Sequence, residues 1–401
     1  MKKLLLPIVF CTCLLWQDLS AQQLSERAEI SLLTASSGRD LYATFGHSAI
    51  RVFDPMLGID KVYNYGTFDF NPPGFYLEFA RGKLNYRIGT ESYQNFDRVY
   101  EYLQRSFTSQ TYNLSQAQKQ AMYEFLETNN LPENRYYLYD FFFDNCSSRL
   151  RDLYEKVLGD SLILATPDRQ TDSTFRDMTD IYLADRPWAD FWIDLGLGSV
   201  VDVQTTPWDQ MFLPDFLESE MAKAMIIRNG EKVPFVKEQE LVRDAPSVIV
   251  PTPLYLHPIF LLGIFLALAA LFSWPNLQKS RERYPLDGIL YSLSGLGGIV
   301  IALLWFATDH TATAWNWNLF WLTPTHLIAA FYLFRKQRPD WLKHYFFICA
   351  LLGVMLHLGC YMSSAIQAFS ENYLPWFFLL LLRNLVLYYK MNGHSWKPVW
   401  K

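Results

Sequence analysis

Cysteine and histidine are scarce in this chain, and their scarcity is uneven. The five cysteines stand at 11, 13, 146, 349 and 360, so the stretch 22–247 holds only Cys146. One thiol cannot close an internal disulfide, which excludes a disulfide-stapled scaffold. It equally excludes a paired-cysteine zinc site in that stretch. Of seven histidines only His47 precedes position 250. There is no glycine-rich phosphate loop and no internal repeat. No basic tract stands out before the linker, and the net charge is −5. Nucleic acid is therefore not an expected partner.

What the chain does have is one stretch that orders the rest, YDFFFDNCSSRLRDLY at 139–154. An aromatic, strand-like run ends at Asp144 and Asn145. Leu150, Leu153, Tyr154 and Val157 then recur at helical spacing, with Asn145 as the N-cap. Cys146 thus falls at a helix N-terminus, where amides and the helix dipole favour a thiolate. The same amides are suited to an oxyanion formed when the sulfur attacks an acyl carbon. The competing reading is a small buried apolar cysteine. One cysteine and one histidine are the minimum set for thiol acyl transfer.

In chain order, residues 1–21 read as a secretory signal peptide, with Lys2 and Lys3, an apolar core and a small-residue cleavage site at 19–21. Residues 22–247 have the composition of an aromatic-rich exported domain, large enough at about 225 residues to bury its own core. Residues 29–33, 41–53 and 61–70 read as strands, with a turn at 55–58. Period-two alternation puts Phe45, His47, Ala49 and Phe53 on one face. A histidine there is either a satisfied core residue or a catalytic base. Between 93 and 130 the pattern is helical, with a second helix capped at Ser115 and ending near Asn130. Asn229 and Gly230 mark a hairpin turn in 226–233.

After a linker at 246–253 come five apolar runs, at about 254–274, 286–306, 319–334, 346–366 and 374–389. Most approach the roughly 20 residues a bilayer requires. Basic segments at 278–283, at 335–338 and after Tyr389 alternate with non-basic ones at 309–318 and 367–373. The positive-inside rule then sends the first helix from outside to inside and leaves the C-terminus in the cytoplasm. Residues 248–401 are read as an all-α five-helix transmembrane domain in a bacterial inner membrane. Arg383, mid-run in the fifth segment, costs at least about 2.5 kcal/mol unless paired or hydrated. It is expected to meet a lipid phosphate or an interhelical partner, or to snorkel. His326 either lines a cavity or bonds across helices.

The order histidine, then cysteine, resembles the circularly permuted papain-like thiol fold of the lecithin–retinol acyltransferase and related cell-wall peptidase families. Joined to a C-terminal membrane bundle, the chain more closely resembles the lipoprotein N-acyltransferase family of Bacteroidota. TFGHSAIR at 44–51, YNYGTFDF at 63–70, GKLNY at 82–86, residues 139–152 and MFLP at 211–214 carry that resemblance. It implies an α+β thiol domain in the periplasm. In it Cys146 is the nucleophile and His47 its base, and no cofactor or metal is called for. The implied donor is a phospholipid and the implied acceptor is the α-amino group of an apolipoprotein's lipid-modified first cysteine. Such a site calls for a third polar group orienting the imidazole. Hairpin proximity makes Asn64 the first candidate, with Tyr65 and Asp144 behind it. Arg149, one turn beyond Cys146, is a candidate for the donor phosphate, and Arg149 or Arg151 alternatively bridges surface carboxylates. Two other classes stay open. One is a cysteine amidase or peptidase acting on cell-wall peptides, and the other is a non-enzymatic membrane scaffold.

Overall fold

The computed structural model describes residues 22–68, 74–82, 85–247, 249–273, 283–362 and 366–393. The expected signal peptide, most of the basic segment 278–283, the end of the 63–70 motif and Lys83–Leu84 lie outside them. A seven-stranded sheet organises the N-terminal part. Its strands are β1 (Glu29–Ala35), β2 (His47–Asp54), β3 (Ile59–Thr67), β4 (Asn85–Ser92), β5 (Phe107–Tyr112), β6 (Tyr136–Leu138) and the distant β10 (Val236–Arg243). They lie in the order β10-β5-β1-β2-β3-β4-β6, antiparallel at every pairing. A small second sheet holds β7 (Leu162–Ile163), β8 (Met225–Arg228) and β9 (Glu231–Pro234). Its β8–β9 hairpin turns at Asn229 and Gly230, both at positive φ, as the sequence predicts.

Two expectations need correcting here. The strand read over 41–53 begins only at His47, because Leu41–Ala43 is a 3-10 turn and Gly46 takes φ +80°. A Cβ at Gly46 would stand 2.7 Å from the Ala35 carbonyl oxygen, so only glycine brings the chain into β2 at that point. Phe45 consequently leaves the His47 face and packs on Phe141 at 4.6 Å between ring centres. The helical stretch at 93–130 is also interrupted by β5, a strand the sequence hides. Its Ser109 and Gln110 are buried polar residues between β1 and β10, and such residues carry no apolar alternation.

The sheet is covered on both faces. α1 (Phe75–Ala80) follows β3, and α2 (Tyr93–Tyr102) follows β4. Phe96 and Tyr100 of α2 close over Leu33, Ala49, Val62 and Phe107. α3 (Gln116–Asn130), with the predicted Ser115–Gln118 capping box, and α4 (Cys146–Leu158) cover the other face. There Ile50, Val52 and Tyr63 meet Met122, Leu126, Leu150 and Leu153 in the main core. α5 (Phe175–Leu183), α6 (Pro187–Gly196), α7 (Pro207–Gln210) and α8 (Pro214–Lys223) lead back to the sheet.

The C-terminal part is helical: α9 (Pro258–Ser273), α10 (Pro285–Phe306), α11 (His326–Leu333), α12 (Trp341–Met362) and α13 (Leu374–Met391). Among the described residues α10 and α12 are long and apolar enough to cross a membrane, and α9 is a shorter apolar helix. Exposed Ile289, Leu293, Leu296 and Val300 on α10, and Leu351, Met355 and Leu358 on α12, present an apolar surface suited to lipid. The third predicted run is not one helix. A 3-10 turn at Trp317–Phe320 precedes α11, whose eight residues reach only about 12 Å. Pro324 stands at the break.

The two parts are joined by a buried polar junction centred on Arg176. Its guanidinium donates to Asp194 at 2.9 Å and to Asp202 at 2.7 Å, and all three side chains are about 3 % exposed. Asp202 also accepts from the Ala368 amide, while Asn316 and Asn372 reach α6 from the membrane side. Removing one member of a buried ion network strands the rest. Arg176→Ala is expected to cost about 3–5 kcal/mol. Its thermal midpoint by tryptophan fluorescence, in the same detergent and at one scan rate, should fall by several degrees. A surface control such as Lys223→Ala should leave it in place.

Candidate functional site

The N-terminus of α4 is built as the sequence predicts. Asn145 adopts an extended backbone, and its Oδ1 accepts the Ser147 and Ser148 amides at 2.8 and 2.9 Å. Ser148 Oγ accepts the Asn145 amide in return. The Asn145 Nδ2 donates to the Phe141 and Phe212 carbonyls, so the MFLP segment clamps the turn ahead of Cys146. That turn is where the structure departs from expectation. β6 ends at Leu138, and residues 140–144 form a tight turn closed by reciprocal amides of Asp140 and Asp144, not a strand.

Cys146 and His47 meet at the junction of α4 with the start of β2. Ser48 Oγ and Ser147 Oγ, each next in sequence to one of them, lie 2.9 Å apart. Both the thiol and the imidazole are half-buried. Burial by itself would push the Cys146 thiol up. The charge and hydrogen bond of His47, the Ser48 amide and the Ser147 hydroxyl outweigh it and hold the thiol below its ordinary range. For His47, burial favours the neutral ring and Arg105 opposes charge. Cys146 and the hydrogen bond that His47 donates to Asn64 outweigh both, and the imidazole is raised. The two shifts have opposite signs, each group favouring the charged form of the other.

Asn64 lies 3.0 Å from His47, Oδ1 to Nε2. The β2–β3 register pairs Ile50 with Tyr63, so His47 and Asn64 share a sheet face. β3 carries a bulge just beyond Asn64, with Gly66 at φ +84°. A Cβ on Gly66 would sit 3.8 Å from that of Cys146, which puts the bulge against the Cys146 side chain.

Tyr65, Asp144 and Arg149 form a separate cluster beside this group. Arg149 takes Asp144 in a two-pronged ion pair at 2.5 and 2.8 Å and lies 3.5 Å over the Tyr137 ring and 5.8 Å from that of Tyr65. Its fork is therefore engaged by a carboxylate. Burial raises the Asp144 carboxyl even with Arg149 beside it, and burial likewise raises Tyr65. Arg151 stacks over Trp208 and donates to its carbonyl.

Arg383 belongs elsewhere. It forms a two-pronged pair with Asp287 at 2.6 and 2.9 Å and donates to Ser273, joining α13, α10 and α9. Asp287 stands in the first turn of α10, whereas the loop after the other end of α10 meets the N-terminal domain. About 30 Å of helix separates those ends. The interhelical alternative is the one the structure contains. His326 bonds Tyr345 Oη at 2.6 Å and the Trp321 carbonyl at 3.0 Å, again across segments.

Asp180, Asp190 and Asp194 bring carboxylate oxygens within 4.8 Å of one another. Asp194 is bound to Arg176 and Asp190 to Asn372. Burial, with the neighbouring carboxylates, pushes Asp180 up to about 8 and Asp190 to about 6.

Sequence reasoning missed three residues bearing on the thiol and imidazole, Ser48, Ser147 and Arg105, and a fourth, Glu91, that bonds Asn64. The first two are adjacent to the motif residues. Glu91 comes from β4 and Arg105 from the connection between α2 and β5, and no local pattern marks them.

The Cys146 turn is itself tied to the membrane part. Thr311 Oγ1 donates to Asp140 at 2.6 Å, and the Asp309 amide donates to the Arg81 carbonyl. Fold and site together define a membrane-associated protein whose N-terminal sheet domain is docked on apolar helices. Residues 17–179 match the family model described as the Lnb N-terminal periplasmic domain, and residues 251–394 match the one described as the Lnb transmembrane domain. The chain belongs to the Lnb-type lipoprotein N-acyltransferase family. It is accordingly a lipoprotein-processing inner-membrane protein with a periplasmic N-terminal domain. No curated protein and no solved structure matches the chain.

Proposed function

We infer that the protein moves an acyl chain from a phospholipid, through a thioester on Cys146, to the N-terminal amine of a diacylglyceryl-cysteine apolipoprotein. The observation that carries this reading is Cys146 at the N-terminus of α4 beside the His47 end of β2, in a turn bonded to the membrane part, with the thiol lowered and the imidazole raised by that arrangement. A strand-borne histidine preceding a helix-borne cysteine supports reading the domain as a permuted papain-like thiol fold. Five crossings with a cytoplasmic C-terminus fit the charge pattern, the third being broken at Pro324.

The reaction is ping-pong. The Cys146 thiolate attacks the ester carbonyl, a C–S bond forms, and the ester C–O bond breaks. The departing lysophospholipid oxygen takes its proton from His47. An amine then attacks the thioester, a C–N bond forms as C–S breaks, and the amine proton returns to His47. Asn64 holds the ring in place. Asn145 already occupies the Ser147 and Ser148 amides, so the donor left to the oxyanion at the helix N-terminus is the Cys146 amide. Arg149 is assigned here to bracing the turn through Asp144, and Arg383 to bracing the helices.

The test pairs the purified protein with phosphatidylethanolamine vesicles and a synthetic diacylglyceryl-cysteine peptide. An acyl-sized gain on the peptide amine, matched by lysophospholipid and absent with Cys146→Ser, is the expected result. Free fatty acid or peptide cleavage without amine acylation would assign the thiol to a hydrolase instead.

A further inference from the structure

We propose that Glu91 is a positioning residue for His47, acting through Asn64, an inference that rests on the Cys146–His47 reading above. An asparagine side chain is nearly symmetric in shape, and which end faces a partner is decided by its other bonds. Asn64 Nδ2 lies 3.0 Å from Glu91 Oε1. A carboxylate only accepts, so the NH2 end of Asn64 must face Glu91 and its Oδ1 must face His47. Oδ1 in turn requires that His47 Nε2 carry a hydrogen. The ring nitrogen left for the thiol is Nδ1, free to accept the Cys146 proton and to return it. Without an acceptor at position 91 the amide can reverse and present a donor to Nε2, which favours the tautomer with its proton on Nδ1.

The fold holds Glu91 in that place for this purpose from two sides. β3 and β4 pair Val62 with Glu91, which sets the carboxylate on the Asn64 face. The second carboxylate oxygen accepts from Asn95 Nδ2 in the first turn of α2, whose N-cap is Ser92. Glu91, Asn64 and His47 thus lie on three successive strands, β4, β3 and β2, leading to Cys146 on α4. The charged and titratable groups bearing on His47 are Cys146 from α4 and Arg105 from the α2–β5 connection, while Tyr100 of α2 faces both Cys146 and Glu91. A cavity of about 250 Å³ opens beside Asn64 and Glu91, lined also by Arg87 and Arg135. It is roomy enough for a small carboxylate, and its two guanidiniums favour an anion.

That cavity makes the inference testable in the full-length protein in detergent. The rate of iodoacetamide labelling, resolved at the Cys146 peptide by mass spectrometry, is followed from pH 5 to 10 together with acyl transfer. Glu91→Ala should slow labelling at neutral pH by about 10–100-fold, the scale on which the hydrogen-bond partners that orient a metal-bound histidine act. It should also move the labelling profile to higher pH. Glu91→Lys, which offers a donor where the amide needs an acceptor, should do so at least as strongly. Glu91→Gln can still present an oxygen to Asn64 and should stay near wild type. Acetate or formate should restore Glu91→Ala and do nothing for Asn64→Ala. In an Asn64→Ala background the Glu91 substitutions should add no further loss. If wild type labels at low pH and Glu91→Ala and Glu91→Lys do so equally, the positioning role is overturned. The same holds if Glu91→Gln is as slow as Glu91→Ala and neither acid restores it. If wild-type Cys146 itself shows an ordinary thiol profile, the Cys146–His47 reading is what has failed.

Discussion

Cys146→Ser is expected to abolish acyl transfer, with a loss of at least about a thousandfold, the scale on which nucleophile knockouts are measured. A serine hydroxyl is far less acidic than a thiol, and the half-buried site stabilises a thiolate through contacts tuned to sulfur's charge. The substitution is close to isosteric, and Asn145 still caps α4 through the Ser147 and Ser148 amides. The variant should therefore fold with an unchanged thermal midpoint while its lysophospholipid release falls to background. A variant retaining more than about a tenth of wild-type transfer would place the chemistry elsewhere.

His47→Gln should produce the second large effect, with a sign that can be worked out. His47 lowers the Cys146 thiol by its charge and its hydrogen bond, whereas burial raises it. Remove the imidazole and burial is left the larger influence, so the thiol should titrate at or above the ordinary value of about 8.5. At pH 7 the thiolate fraction then drops to about 3 % or less. Labelling of Cys146 at pH 7 should slow, and its profile should move up. Because the same ring is also the base for both half-reactions, acyl transfer should fall further than labelling, by about a thousandfold or more. Raising the pH should restore labelling and leave transfer largely unrestored. A profile that does not move would mean that His47 is a core histidine, the other reading its strand position allows.

The parts of this account that could be read from the sequence are those set by neighbours along the chain. The α4 start depends on Asn145 and on apolar residues at helical spacing, and the structure has both. The α3 capping box and the Asn229–Gly230 hairpin are of the same kind. What could not be read depends on partners far apart in sequence. β5 is polar because Gln110 lies between β1 and β10 and bonds the Glu218 carbonyl of α8, so no alternation reveals it. Phe45 leaves the His47 face because a positive φ at Gly46 breaks the period. Asn64 was accessible because it lies one hairpin from His47, whereas Glu91 needs the β3–β4 register as well. The sequence leaves Arg383 open between a lipid phosphate, an interhelical partner and snorkelling, because its partner, Asp287, belongs to another helix.

The arginine pairs share one physical logic. Arg176, Arg149 and Arg383 each hold a carboxylate in two-pronged or multiple contact where burial would penalise a lone charge. Arg176 fixes Asp194 and Asp202, the second of which accepts from the Ala368 amide, Arg149 braces the Cys146 turn, and Arg383 joins three helices. The Cys146 turn is thereby fixed relative to the apolar helices, as the proposed reaction with a bilayer substrate requires.

The central claim is a covalent acyl-enzyme, and intact mass is its most direct measure. Purified protein, wild type and Cys146→Ser, is incubated with phospholipid vesicles in the absence of any amine acceptor, then weighed. The account predicts an acyl-sized increment on wild type alone, localised to the Cys146 peptide, removed by hydroxylamine and accompanied by one lysophospholipid per increment. Folded wild-type protein that gains no mass and releases no lysophospholipid would contradict it.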